Sequence, residues 1–176
     1  MKRAIIGGLV AIAMLFCSPV EAREYKGFVV GAGVGLAPLV SKDVPGTWSD
    51  DSQPGYAFQF MVGGVLSKRN MFVLEGNFAG NSNGAARGGT VQGFGGPAWY
   101  HYFKPSVASA FSTVGLGACL YGGTGTSDDQ PRLALLFGGG YRFARSLQAG
   151  AYMFIGTTSI DSSHLNLSFL LSAMLF

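Results

Sequence analysis

The sequence predicts an all-β chain, a transmembrane antiparallel up-and-down β-barrel of about eight strands behind a cleaved N-terminal signal peptide. Three observations predict it. Segment after segment alternates between a bulky apolar face and a small or polar face. The connections between segments alternate long and short. The composition is 48% hydrophobic and only 12% charged, about half the charge of an ordinary soluble domain. Yet beyond the first residues no run of roughly 18 apolar residues offers a membrane helix. With 28 Gly, 14 Phe and seven Tyr, the chain suits short strands better than helices.

The first element is an address. Residues 1–22 read MKRAIIGGLVAIAMLFCSPVEA. Lys2 and Arg3 start it with positive charge, and Ile5 to Phe16 form an apolar core of about a dozen residues, the length of a signal-peptide core. Val20-Glu21-Ala22 places modest side chains before the expected cut, after Ala22. The run is short for a membrane anchor. Phe16 before Cys17 is too large for lipoprotein processing. What remains, 23–176, is expected to be one domain. Its remaining cysteine, Cys119 in GLGACLY, reads as a space-filler, and two cysteines in all cannot supply a disulfide framework or a metal site.

Period-2 patterning marks strands near 26–38, 55–66, 71–80, 89–103, 109–121, 133–143, 147–157 and 164–176. In the first, Phe28, Val30, Ala32, Val34 and Leu36 oppose Gly31, Gly33 and Gly35. In the second, Tyr56, Phe58, Phe60 and Val62 oppose Ala57, Gln59, Met61 and Gly63. In the third, Phe72, Leu74 and Phe78 oppose Glu75 and Asn77. The sixth sets Leu133, Leu135, Phe137, Tyr141 and Phe143 against Gly138, Gly140 and Arg142. The last sets Leu165, Leu167, Phe169, Leu171 and Leu175 against Asn166, Ser168 and Ser172. The bulky face is expected to meet lipid. The other, read as mostly Gly, Ala and Ser, is expected to line a narrow interior.

The long connections fall near 39–54, 81–88, 122–132 and 158–163, the short ones at Ser67 to Asn70, Lys104 to Ser106 and Ala144 to Ser146. Barrels of the outer membrane alternate in this way, with long loops outside and short turns facing the periplasm. Charge sorts likewise. The short turns hold Lys68, Arg69, Lys104 and Arg145 and no acid, while Asp43, Asp50, Asp51, Asp128, Asp129 and Asp161 sit in the long loops with Lys42, Arg87 and Arg132. Closure is required too, because an open sheet edge in lipid leaves backbone groups without partners.

The segment YKGFVVGAGVGLAP at 25–38 resembles the first strand of small outer-membrane β-barrels of the OmpA and OmpX kind, and Phe176 resembles their C-terminal aromatic. That resemblance implies a monomer in the cell outer membrane, surrounded by outer-membrane lipid and lipopolysaccharide. It also implies insertion by the barrel-assembly machinery, with Phe176 as assembly signal. One departure is visible: Phe176 falls on the opposite phase from Leu165 to Leu175.

The chemistry-bearing residues point away from catalysis. Outer-membrane lipid A deacylases use a His and a Ser close in sequence with an acidic partner. His164 and Ser168 share a strand face but lie about 13 Å apart at about 3.3 Å per residue, whereas a base must come within about 3 Å of its hydroxyl. Glu75 and Arg142 either pair inside the barrel, because a buried charge is costly without a partner, or Arg142 lies solvated near the periplasmic mouth. Gln59, Asn77 and Gln148 are expected beside them. Trp99, Tyr100 and Tyr102, with His101 between them, read as an interfacial aromatic group. The stretches GAGVG, GFGG and FGGGY lack the Gly-Lys-Ser/Thr ending of a phosphate loop. Asp50-Asp51 and Asp128-Asp129 read as solvated loop rather than as a divalent-cation site, and Trp48 beside Asp50 is a candidate adhesive contact. No metal, no cofactor and no nucleic acid is expected, since a net charge of +3 comes without a basic block. The expected function is non-enzymatic, in envelope integrity or surface interaction. A narrow pore or hydrophobic-solute channel, and a lipid A-modifying enzyme, are the alternatives.

Overall fold

The computed structural model describes residues 27–43, 55–81, 90–123, 131–159 and 162–176. The expected signal peptide, with Cys17, lies outside them, as do Trp48 and the paired aspartates of the long loops. Among the described residues, eight strands follow one another and close into a single barrel in which each is bonded to its neighbours in sequence. They are β1 (Gly27–Asp43), β2 (Gly55–Ser67), β3 (Asn70–Asn81), β4 (Thr90–Tyr102), β5 (Ser109–Gly123), β6 (Arg132–Ala144), β7 (Leu147–Ser159) and β8 (Ser162–Leu175). β1 and β8 pair antiparallel, from Val30 opposite Leu175 to Asp43 opposite Ser163. That seam removes both sheet edges and gives the strand backbone its partners, as lipid demands.

Most strand ends fall within two residues of the sequence reading. The exception is β1, expected to stop at residue 38 but running to Asp43. Pro38 is the reason the pattern breaks early. The pairing with β8 slips between Leu36 and Leu39, and a bulge there accommodates a residue with no N–H to donate. The connection expected at 158–163 is also shorter than foreseen: Ser159 already pairs with Ser162. The β4–β5 turn is longer, spanning 103–108. The β2–β3 turn is tight because the Ser67 hydroxyl accepts from the Arg69 and Asn70 backbone N–H groups at 3.3 and 3.1 Å, a local bond that favours turns over strand.

The alternation resolves into an outer and an inner surface. Phe28, Val34, Leu36, Phe58, Phe60, Leu74, Leu116, Leu133, Phe169 and Leu171 all stand outward and exposed. Leaving each such side chain in water costs about 1.5–3 kcal/mol, and a soluble monomer does not carry a continuous apolar belt of this extent. The belt's natural solvent is acyl chain. Some outward glycines are roofed by aromatic rings, Gly80 by Tyr56 and Gly93 by Phe78. Phe60 and Phe78 stack at 5.8 Å over Gly76, where an added Cβ would run into both rings.

The inner surface departs from the sequence reading. It is not mainly Gly, Ala and Ser. Tyr100, Tyr152, Phe94, Phe154, Met61, Met71, Leu136 and Met174 are among its largest fully buried side chains. Glycine appears where these need space or where strands press together. At Gly33 a Cβ would crowd the Ser172 hydroxyl and the Gln59 amide. The interior is therefore a packed core, as the width of an eight-stranded barrel allows.

Candidate functional site

Two layers of side chains occupy the barrel interior, and they define what the protein can pass or bind there. The first is a polar knot. Gln59 on β2 donates through Nε2 to Glu75 Oε1 at 2.6 Å and to Tyr100 Oη at 3.1 Å. Tyr100 Oη in turn donates to Glu75 Oε2 at 2.7 Å. Ser172 Oγ donates to Gln59 Oε1 at 2.6 Å. The knot joins β2, β3, β4 and β8 across the interior, and its four members are each at most 3% exposed. A carboxylate taken out of water needs such partners.

The second layer is aromatic. Phe111 lies 5.6 Å from Tyr100, 5.7 Å from Tyr102 and 6.4 Å from Tyr152 by ring centroid, in tilted contacts suited to ring quadrupoles. Tyr102 Oη donates to Gln148 Oε1 at 3.0 Å, and Gln148 Nε2 donates to Tyr152 Oη at 3.4 Å. The two layers share Tyr100.

Arg142 covers the turn end of the interior. Its guanidinium carbon sits 4.0 Å from the centre of the Tyr102 ring, a cation–π contact. Its Nε donates to the Val107 carbonyl at 3.0 Å and its Nη2 to the Ser106 carbonyl at 2.9 Å. One side chain thereby ties the β4–β5 turn to β6. Phe176 follows β8 on the inward phase and lines a small recess with Met71, Tyr102 and Arg142.

The expected Glu75–Arg142 pair does not form. Arg142 lies at the turn end of the interior with Ser67, Met71 and Tyr102, whereas Glu75 lies four residues beyond Met71 along β3. Glu75 is satisfied by an amide and a phenol, and Arg142 by backbone carbonyls and a ring. Tyr100 and Tyr102 are also corrected. Both are buried inside, at 0% and 3% exposure, whereas Trp99 between the inward positions stands outward at 46%. The run Trp-Tyr-His-Tyr has no apolar–polar contrast, so its phase is invisible without the pairing partners. Trp99 Nε1 donates to Asn70 Oδ1 at 3.2 Å, with His101 Nδ1 2.9 Å from the same oxygen.

Gln59, Asn77 and Gln148 lie inside the barrel. Ser168 points inward too, its hydroxyl 3.4 Å from both Asn77 Oδ1 and the Tyr152 carbonyl. The backbone of His164 pairs with Gly156 near the far end of β8. No cluster of metal-ligating side chains occurs among the described residues. The sequence reading missed Phe111 and Tyr152 and placed Tyr100 and Tyr102 on the wrong surface.

No family model and no curated protein matches the chain. Among solved structures it is similar to Neisserial surface protein A, with a TM-score of 0.59 and 16% identity over 83% of this chain and 96% of that one. It is also similar to Ail, the attachment invasion locus protein of Yersinia pestis, solved in complex with the heparin analogue sucrose octasulfate. There the TM-score is 0.56 and the identity 10%, over 84% of this chain and 99% of that one. A second Ail structure gives 0.54 and 10%, over 84% and 98%. The likeness is one of fold: the chain has the closed eight-stranded barrel of small outer-membrane proteins.

Proposed function

We propose that this chain is a sealed, non-enzymatic barrel of the outer membrane, acting as a rigid mount for its long loops in envelope integrity or surface contact. The observation that carries this is the filled interior. The Gln59–Glu75–Tyr100–Ser172 knot and the Tyr102–Phe111–Tyr152 layer lie across it, and Arg142 holds a turn to its end. Charged and aromatic groups bonded in this way resist displacement by an ion or solute.

The non-enzymatic part is supported by Ser168, whose hydroxyl is engaged with Asn77 and the Tyr152 carbonyl. A surface role fits the placement of the acidic loops on the end opposite the basic turns. The fold is shared with a Neisserial surface protein and with an attachment protein.

The test is conductance. Folded protein added to a planar bilayer is expected to give no unitary steps. Steady channels of uniform size would refute the sealed barrel. Lipid A mass spectra from cells with and without the protein are expected to match, and a new acylation state would refute the non-enzymatic reading.

A further inference from the structure

We propose that the rim of the barrel at its short turns binds anionic phospholipid headgroups, holding phosphatidylglycerol-type lipids in the leaflet that surrounds it. The inference rests on the chain being a membrane barrel but not on whether its interior conducts.

Three cations stand exposed at this rim: Lys68 and Arg69 in the β2–β3 turn, and Lys104 in the β4–β5 turn. Arg145 adds a fourth, half-buried charge in the β6–β7 turn. Glu75 lies inside the barrel, and Asp43 is the last residue of β1, at the end of that strand away from this rim. Each basic turn adjoins an outward apolar or aromatic side chain: Leu66 and Trp99 beside Lys68 and Arg69, Phe103 beside Lys104, and Phe143 beside Arg145. Tyr102 N–H donates to the Arg69 carbonyl at 2.7 Å and Trp99 Nε1 to Asn70 Oδ1, so Trp99 and the Lys68–Arg69 turn are joined.

Amphipathic rings mark the boundary between acyl chain and headgroup. Lysine and arginine stems extend from that boundary into the phosphate layer. A cation there attracts net-anionic lipids over zwitterionic ones. A soluble anionic partner would use the charge but has no need of the aromatic collar.

Trp99 is a built-in reporter, and Trp48→Phe makes it the sole tryptophan. The full chain with that substitution is folded into vesicles of mixed phosphatidylcholine and phosphatidylglycerol, with one or the other lipid brominated. Brominated phosphatidylglycerol is expected to quench Trp99 beyond its mole fraction, by about threefold at low salt, and less at about 1 M salt, where charge is screened within about 3 Å. Adding Lys68→Gln, Arg69→Gln and Lys104→Gln is expected to return the ratio to about one. Arg132→Gln, at the opposite end of β6, is expected to leave it unchanged. Equal quenching by both lipids would overturn the proposal. So would a preference that survives the triple substitution in a barrel still folded by gel shift, or one that Arg132→Gln abolishes equally.

Discussion

Tyr100 Oη donates to Glu75 Oε2 at 2.7 Å, although Glu75 is paired across the ladder with Gly96, well along β4 from Tyr100. The long phenol reaches over the small residues between them. A carboxylate that has lost its water is thereby held by a hydroxyl and an amide, Gln59 supplying the second bond at 2.6 Å.

Tyr100→Phe removes one of those bonds and is expected to destabilise the barrel by about 1.5–3 kcal/mol, the range for a hydrogen bond to a charged group. Gln59→Leu is expected to cost more, since it strips partners from Glu75, Tyr100 and Ser172 together. The double variant Gln59→Leu with Glu75→Leu is expected to lose less than the sum of the singles, because no orphaned carboxylate remains. Urea midpoints in detergent micelles measure all of these, and strict additivity would show that the knot is not a unit.

Arg142→Met keeps the apolar stem but removes the guanidinium from the Ser106 and Val107 carbonyls and from the Tyr102 ring. Amide exchange across residues 103–108 is expected to accelerate, with a stability loss of about 1.5–3 kcal/mol. Arg142→Lys is expected to restore little, since an ammonium cannot span both carbonyls and the ring with one planar fork. Unchanged exchange in the turn would mean that the turn holds itself.

Asn166 offers the opposite case. It is fully buried, and neither end of its amide meets a partner among the described residues. Asn166→Leu, which keeps the branching and the number of side-chain heavy atoms, is expected to be neutral or stabilising, because an unsatisfied amide costs about 1–3 kcal/mol. The temperature at which the folded band converts on gels reads this out. A drop of several degrees would show that the amide is satisfied in solution.

Much of the fold was legible because β-structure writes itself at period two. Phe28 to Leu36 and Leu165 to Leu175 alternate so clearly that their outward faces follow from sequence, and the exposed belt lies there. The polar residues of the interior were legible for the same reason: Gln59, Asn77, Glu75, Gln148 and Arg142 interrupt apolar strands on the inward phase. Tyr100 and Tyr102 were not, since aromatic neighbours on both phases erase the contrast. β1 was cut short in sequence because Pro38 masks a strand that continues through a bulge.

The sequence by itself determined the all-β class, the strand count, the outward belt, the basic short turns and the polar positions inside. It did so because each is a local property of alternation, turn chemistry or charge. Only the tertiary structure decided who meets whom across the interior. Glu75 and Arg142 look like natural partners in one dimension, yet the closed barrel puts Arg142 at the turn end beside Met71 and Tyr102 and Glu75 deeper along β3. Tyr100 and Gln59 reach the carboxylate first, and Arg142 is left to the turn. Those contacts depend on the register of eight strands closed on themselves, which no single segment encodes.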